Sequence, residues 1–262
     1  MRQAINLGLN FGGESLLHPK FSNMLEYAAS KGCFRIGFHT NGVLLNKDIV
    51  RVIIDNGIDH VYISLDGLRD LHESLRTGSD YNLVEQNIIN LVRARGANSK
   101  PKIAVDCAIS THTDQDITEF INYWVKLVDA VRIYPCQNEN LQLINRDEFY
   151  GKGYIRKPCC IWPFEYLAVL WNGDVSACCH DIAGVNVLGN IVSKKIMDVW
   201  KGKSLVSMRQ MAIRNSFPSG TICSTCNSWQ IEFSASPEII GEIKAEYVGL
   251  GRTYQLIRKE KR

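Results

Sequence analysis

No long apolar run, no strong charge bias and no low-complexity stretch occurs in these 262 residues, and each absence removes a class of protein. Without about 18 consecutive apolar residues, no segment reads as a membrane-crossing helix. Met1-Arg2-Gln3 runs straight into a strand pattern with no apolar core of a secretory signal, so a cytoplasmic protein with no membrane partner is expected. The net charge is only +3, and the densest basic run, Arg258-Lys259-Glu260-Lys261-Arg262, reads as a solvated helix end, so no nucleic-acid partner is expected. Gly8-x3-Gly12-Gly13 lacks the G-x-G-x-x-G spacing of a dinucleotide-binding turn, and no acidic residue follows in the expected place. What is present is an apolar content of 45%, enough to bury a substantial core in one large domain or one and a half. Nine cysteines, with adjacent pairs at 159/160 and 178/179, suit a reducing compartment and metal ligation better than a disulfide framework.

From Ile5 to Cys136, short apolar runs alternate with helix-length amphipathic segments. The predicted strands are Ile5 to Phe11, Phe34 to Phe38, Val61 to Leu65, Ile103 to Ile109 and Ala130 to Tyr134. Between them the spacing predicts helices over Ser22 to Ser30, Lys47 to Asp55, Tyr81 to Arg95 and Asp116 to Val128, with Asn46 and Asp114 as caps and Gly32, Gly57 and Gly96 as stops. Strands joined by crossover helices are parallel, and right-handed crossovers wind them into a doubly wound sheet or a barrel. The strands empty into Gly12-Gly13-Glu14-Ser15, His39-Thr40-Asn41-Gly42 and Asp66-Gly67, the last preceded by Ser64. Ligands in parallel β/α architectures bind at the carboxyl ends of strands, so three polar ends in succession point to one shared pocket.

Four later cysteines carry the strongest signal. Cys160 is followed by Gly173 and, after four intervening residues, Cys178; the tight pair Cys223-Ser224-Thr225-Cys226 comes much later. A C-x-x-C turn brings two thiolates together, and a hairpin turning at Asn172-Gly173-Asp174 presents Cys160 and Cys178 as two more. Cys159 and Cys179 are the adjacent alternatives, while Cys33, Cys107 and Cys136 read as small buried hydrophobes. Residues 137–158 read as a linker, Phe164 to Trp171 and Val175 to Cys179 as strands, Lys195 to Asn215 as one helix, and Glu238 to about Val248 as a last helix opened by Pro237.

Taken together, these motifs resemble the radical S-adenosylmethionine (radical SAM) enzymes with a C-terminal SPASM or twitch auxiliary-cluster domain. Gly12-Gly13-Glu14 resembles the motif that binds the cofactor's amino group, with Ser15 where the family usually has proline. Thr40-Asn41-Gly42 resembles the next strand-end motif, and Ser64-Leu65-Asp66-Gly67 with His72 and Arg76 resembles the stretch lining the ribose and carboxylate side. A carboxylate suits an ammonium, and a guanidinium suits a carboxylate. The resemblance implies a radical SAM core at 1–136 and an auxiliary domain at 159–262, a β-hairpin with helices, in which Cys160, Cys178, Cys223 and Cys226 hold one 4Fe-4S cluster. With no cysteine after Cys226, one auxiliary cluster is expected, fully ligated and suited to electron transfer or a structural role.

The family's defining C-x-x-x-C-x-x-C is absent. In the family it precedes Gly-Gly-Glu, so the expectation is a partial (β/α) barrel lacking its first βα unit, with about five strands where the family has six and an exposed edge on the first strand. S-adenosylmethionine cleavage through a second 4Fe-4S cluster is expected only of a longer form, and this chain is expected to be inactive. For that form the resemblance implies a radical oxidoreductase or maturase. It would abstract hydrogen through a 5'-deoxyadenosyl radical from a small-molecule or peptide substrate, alcohol or sugar dehydrogenation being slightly favoured, with a low-potential donor such as flavodoxin or ferredoxin. The alternative is a noncatalytic α/β scaffold whose four cysteines hold zinc or a cluster.

Overall fold

The computed structural model describes residues 5–136, 154–155, 159–227, 232–233, 237–248 and 251–257, and the chain divides into two units, Met1–Tyr134 with Ser236–Arg262 and Pro135–Ala235. The expected linker 137–158 lies outside the described residues except at 154–155, as does the basic tail 258–262.

In the first unit, strands β1 (Asn6–Gly8), β2 (Arg35–Thr40), β3 (His60–Ser64) and β4 (Lys102–Ile109) pair in parallel, and β5 (Ala130–Pro135) lies beside β4. Helices α1 (Phe21–Ser30), α2 (Lys47–Asp55), α3 (Arg69–Leu75), α4 (Tyr81–Arg95) and α5 (Asp114–Trp124) make the crossovers. Asn46 caps α2 through bonds from the amides of Asp48 and Ile49, both 3.1 Å, while α5 is capped by Thr113 in a reciprocal box with Asp116. Asp114, expected as that cap, is the first helical residue instead.

The strands alternate cleanly. Ile36, Phe38 and Thr40 of β2 and Val61 and Ile63 of β3 are buried, and Phe38 packs edge-on against Phe21 of α1 at 5.0 Å. That face builds the core with Leu25, Ile53, Val84, Ile88, Leu91 and Trp124, all fully enclosed. The opposite face is polar, carrying His39, Tyr62, Asp106 and Arg132. Among the described residues β1 pairs only with β2, and Ile5 and Phe34 beside it are exposed.

The second unit holds short elements. β6 (Tyr154–Ile155) pairs with β10 (Glu232–Phe233), and β7 (Ala168–Val169), β8 (Asp174–Ser176) and β9 (Gly189–Asn190) form an antiparallel sheet. The β7–β8 turn closes on Gly173, whose φ of +85° and crowding by Val192 and Asn190 exclude a side chain. Phe164, expected in a strand, lies in the helical turn Trp162–Glu165 that Pro163 initiates. The single helix expected over 195–215 is two, Ile196–Trp200 and Lys203–Arg214, broken at Gly202, where a Cβ would sit 2.9 Å from the carbonyl of Asp198. The longer helix buries Leu205, Met208 and Ala212, with Leu205 and Met208 packed on Ala177.

Back in the first unit, the expected last helix is overturned. Residues 238–248 and 251–256 form β11 (Glu238–Ile240), β12 (Ile243–Val248) and β13 (Gly251–Leu256), antiparallel strands that add to the sheet through β13 on β5, giving the order β1-β2-β3-β4-β5-β13-β12-β11. Ile243, Ala245 and Tyr247 alternate with Lys244 and Glu246, a period of two, and Gly241 at φ +61° makes the tight turn before them. Gly251 lies under the ring of Tyr134, where a Cβ would come within 2.4 Å.

Candidate functional site

Two constellations emerge, one in each unit. At the carboxyl ends of β1 and β2 the strand-end motifs interlock. Asn10 accepts from the amide of His39 at 3.2 Å, and Ser15 donates to the carbonyl of Leu9 at 2.8 Å, fixing the loop after β1 on β2. Glu14 Oε1 accepts from the Leu16 amide (3.0 Å) and Thr40 Oγ1 (2.8 Å), and its Oε2 from the Asn41 amide (2.6 Å). A carboxylate takes about four donors, so three leave capacity for one more. Gly12 and Gly13 adopt φ of +47° and +142°, and nothing lies within 4 Å of where a Gly13 Cβ would stand. An amino group offered beside an open glycine backbone fits this corner.

Asp66 serves the fold directly. Its Oδ1 accepts from the Ala108 amide at 2.9 Å, its Oδ2 from Arg76 Nε at 2.7 Å, and its own amide donates to His72 Nδ1 at 3.2 Å. Arg76, a third exposed, is thereby aimed by Asp66, and Ser64 stands half-buried at the end of β3. His72 is fully enclosed, with Nε2 2.9 Å from Ser79 Oγ and its ring edge-on to Tyr81. Burial, then the Arg76 charge, hold His72 below the ordinary histidine pKa. It supports the strand end from inside and is not a surface residue.

On the polar sheet face lies a cluster that sequence reasoning missed. Arg132 forks onto Asp106, its Nε donating at 2.6 Å and its Nη2 bonding the second oxygen. The guanidinium lies 3.8 Å over Tyr62, His39 stacks on the same ring at 4.6 Å, and His39 Nδ1 is 3.4 Å from Asp106. Burial opposes the charge on Arg132, yet the Asp106 carboxylate holds its pKa above the usual value. Asp106 and Arg132 sit within runs read as plain apolar strands; a charged residue of each sign at inward positions of neighbouring strands was the available signal.

In the second unit Cys160, Cys178, Cys223 and Cys226 line one cavity with Trp162, Pro163, Met208, Phe217 and Ile222, while Cys159 and Cys179 do not line it. Arg209 of the long helix donates to the carbonyl of Pro163 at 2.9 Å and so fixes the turn after Cys160. Burial pushes the Cys160 thiol up to about 11 and Cys223 to about 12; Cys178 is raised by its bond with Cys179 and by burial. Cys160, Cys178 and Cys223 thus resist ionising in this apolar cavity until a cation joins them. His180 also lines the cavity, and its Nε2 is buried without a partner. Among the described residues no three His, Cys, Asp or Glu side chains converge tightly enough for one metal ion. A single zinc would draw its sulfurs to about 4 Å apart. Four cysteines lining one cavity supply the donor set of a cysteine-ligated iron-sulfur cube.

Of the three remaining cysteines, Cys107 is buried as expected, whereas Cys33 and Cys136 are only partly buried, at element ends.

The radical SAM superfamily model matches residues 5–123, and the SPASM iron-sulfur cluster-binding domain matches residues 159–227. The chain belongs to the radical SAM superfamily and carries a SPASM domain. This radical SAM chain is 26% identical over 255 residues to a tungsten-containing aldehyde ferredoxin oxidoreductase cofactor-modifying protein of Pyrococcus furiosus, covering 81% of this chain and 71% of that one. A mycofactocin maturase of Mycobacterium ulcerans is 28% identical over 102 residues, 38% of this chain and 27% of its own. Among solved structures, SuiB of Streptococcus suis bound to S-adenosylmethionine superposes with a TM-score of 0.59 at 16% identity, covering 82% of this chain and 58% of that one, a likeness of fold. The two domains imply S-adenosylmethionine and 4Fe-4S clusters as cofactors. Among the described residues no helix is long and apolar enough to cross a membrane.

Proposed function

We propose that this chain is the cofactor- and auxiliary-cluster-binding part of a radical SAM maturase or oxidoreductase. The carrying observation is the apolar cavity lined by Cys160, Cys178, Cys223 and Cys226. S-adenosylmethionine would supply hydrogen-abstracting radical chemistry and the auxiliary cluster one-electron transfer. Glu14, with one acceptor position open beside Gly13, would take the cofactor's ammonium, while Thr40 and Asn41 keep that carboxylate aimed. Arg76, held by Asp66, would meet the cofactor carboxylate, and Ser64 lines the same strand end. The face bearing His39, Tyr62 and Asp106 would bound the substrate and exclude water. No C-x-x-x-C-x-x-C occurs within these 262 residues, so the chemistry assigned to this chain alone is binding. The name of the Pyrococcus furiosus relative, a cofactor-modifying protein, favours modification of a cofactor as the reaction class.

The test is anaerobic reconstitution with iron and sulfide, followed by metal analysis and the visible spectrum. About four irons per chain and a broad band near about 400 nm, both lost on Cys223→Ala, are expected for one cysteine-ligated cube. One zinc and no colour would move the protein to a noncatalytic metal scaffold.

A further inference from the structure

The sulfurs around the cavity receive N–H donors from three directions. The Trp162 amide bonds Cys160, the His180 amide bonds Cys178 Sγ at 3.4 Å, and the Asn186 side-chain Nδ2 reaches Cys223 Sγ at 3.8 Å. The first two are main-chain groups; Asn186 is the one whose donor a substitution removes. Its placement is built. Asp181, 1% exposed, accepts from Ser176 Oγ (2.8 Å), the Val185 amide (2.7 Å) and the Asn186 amide (2.9 Å). The buried carboxylate closes this loop and fixes the main chain at Asn186, from which the side-chain carboxamide reaches Cys223.

We propose that Asn186, held by Asp181, is a positioning residue that raises the reduction potential of the cluster bound by Cys223. The proposal rests on the auxiliary-cluster reading above. Reduction brings one electron from an external low-potential carrier onto the cluster and breaks no bond. The added negative charge falls partly on the cysteine sulfurs, and an N–H donor stabilises that more negative state over the oxidised one. Removing the donor therefore makes the cluster harder to reduce.

The experiment compares the reconstituted full chain with Asn186→Leu and Asn186→Ala, recording iron content and then an EPR-monitored titration against dithionite. Iron content stays at the wild-type value in at least one variant, and its reduction equilibrium falls about fivefold, the worth of one hydrogen bond. At 59 mV per tenfold for one electron, that is about 40 mV to lower potential. Equal iron with an unmoved midpoint overturns the proposal, as does loss of iron from both variants, which would make Asn186 an assembly residue. A wild-type chain that takes up no cluster overturns the reading beneath it, and does so in the metal analysis before any potential is read.

Discussion

The two units answer the same problem, how to bury polar groups around a ligand, in opposite ways. In the first, each key carboxylate already has protein partners: Glu14 has three donors, Asp66 takes Arg76 and the Ala108 amide, and Asp106 takes Arg132. In the second, four half-buried thiols face a cavity, the pKa values of Cys160, Cys178 and Cys223 are raised, and His180 Nε2 has no partner. On the proposed reading, the strand-end site is organised before its ligand arrives, and the cysteine cavity is completed by its cluster. Preorganisation reduces what binding must spend on ordering groups, whereas a site completed by metal turns binding energy into folding energy.

The largest effect that could break this contrast is on heat stability. Loading the chain with iron and sulfide should raise the calorimetric transition of the second unit by about 10 °C or more, because a metal ligated only in the folded state stabilises that state by mass action. The first unit's transition should stay within about 2 °C on the same scale of shift per kcal/mol. Equal rises in both would show that the first unit is not self-sufficient. Next in size is Arg132→Met. It strands the mostly buried Asp106 carboxylate and should cost about 3 kcal/mol in urea unfolding, with Arg132→Met combined with Asp106→Leu recovering most of that loss. If the double variant is as weak as the single, the pair is not the unit of satisfaction.

Much of this was legible in the chain. Asn46 before Lys47, and Gly96 after Arg95, mark helices whose ends match the structure, because capping and left-handed glycine chemistry are local. Cys160 and Cys178 were preferred to Cys159 and Cys179 from the spacing around Gly173 and Pro163, and they line one cavity with Cys223 and Cys226. Nonlocal partnership was not legible. Glu238 to Val248 carries enough helix formers to look helical, and only pairing of β13 with β5 makes the alternation of Ile243, Ala245 and Tyr247 pay off as strand. The Asp106 and Arg132 pair was hidden for the same reason, as 26 residues separate its members and register alone brings them together.

The smallest predicted effect probes how conditional the first unit's self-sufficiency is. His72 is satisfied as a neutral ring, its Nδ1 accepting from the Asp66 amide while Nε2 faces Ser79. Burial first, then Arg76, lower its folded pKa below 6.5, with Asp66 and Glu73 opposing. Between that folded pKa and 6.5 the unfolded chain binds the proton and the folded chain does not, so this contribution to stability is full above about 6.5 and is lost as pH falls through the folded value. The slope is at most about 1.4 kcal/mol per pH unit for one group. His60, lowered mainly by burial, acts in the same direction, whereas Asp59, lowered from 3.8 by Lys100 against the opposing effect of burial, acts only at more acid pH. Urea unfolding of the iron-loaded chain at pH 7.5 and 5.5 should show the loss in wild type. His72→Gln, which can still accept from Asp66 but does not titrate, should start less stable and lose less on acidification. An unchanged slope in that variant would assign the acid sensitivity to other groups and leave the strand end after β3 stable with His72 charged.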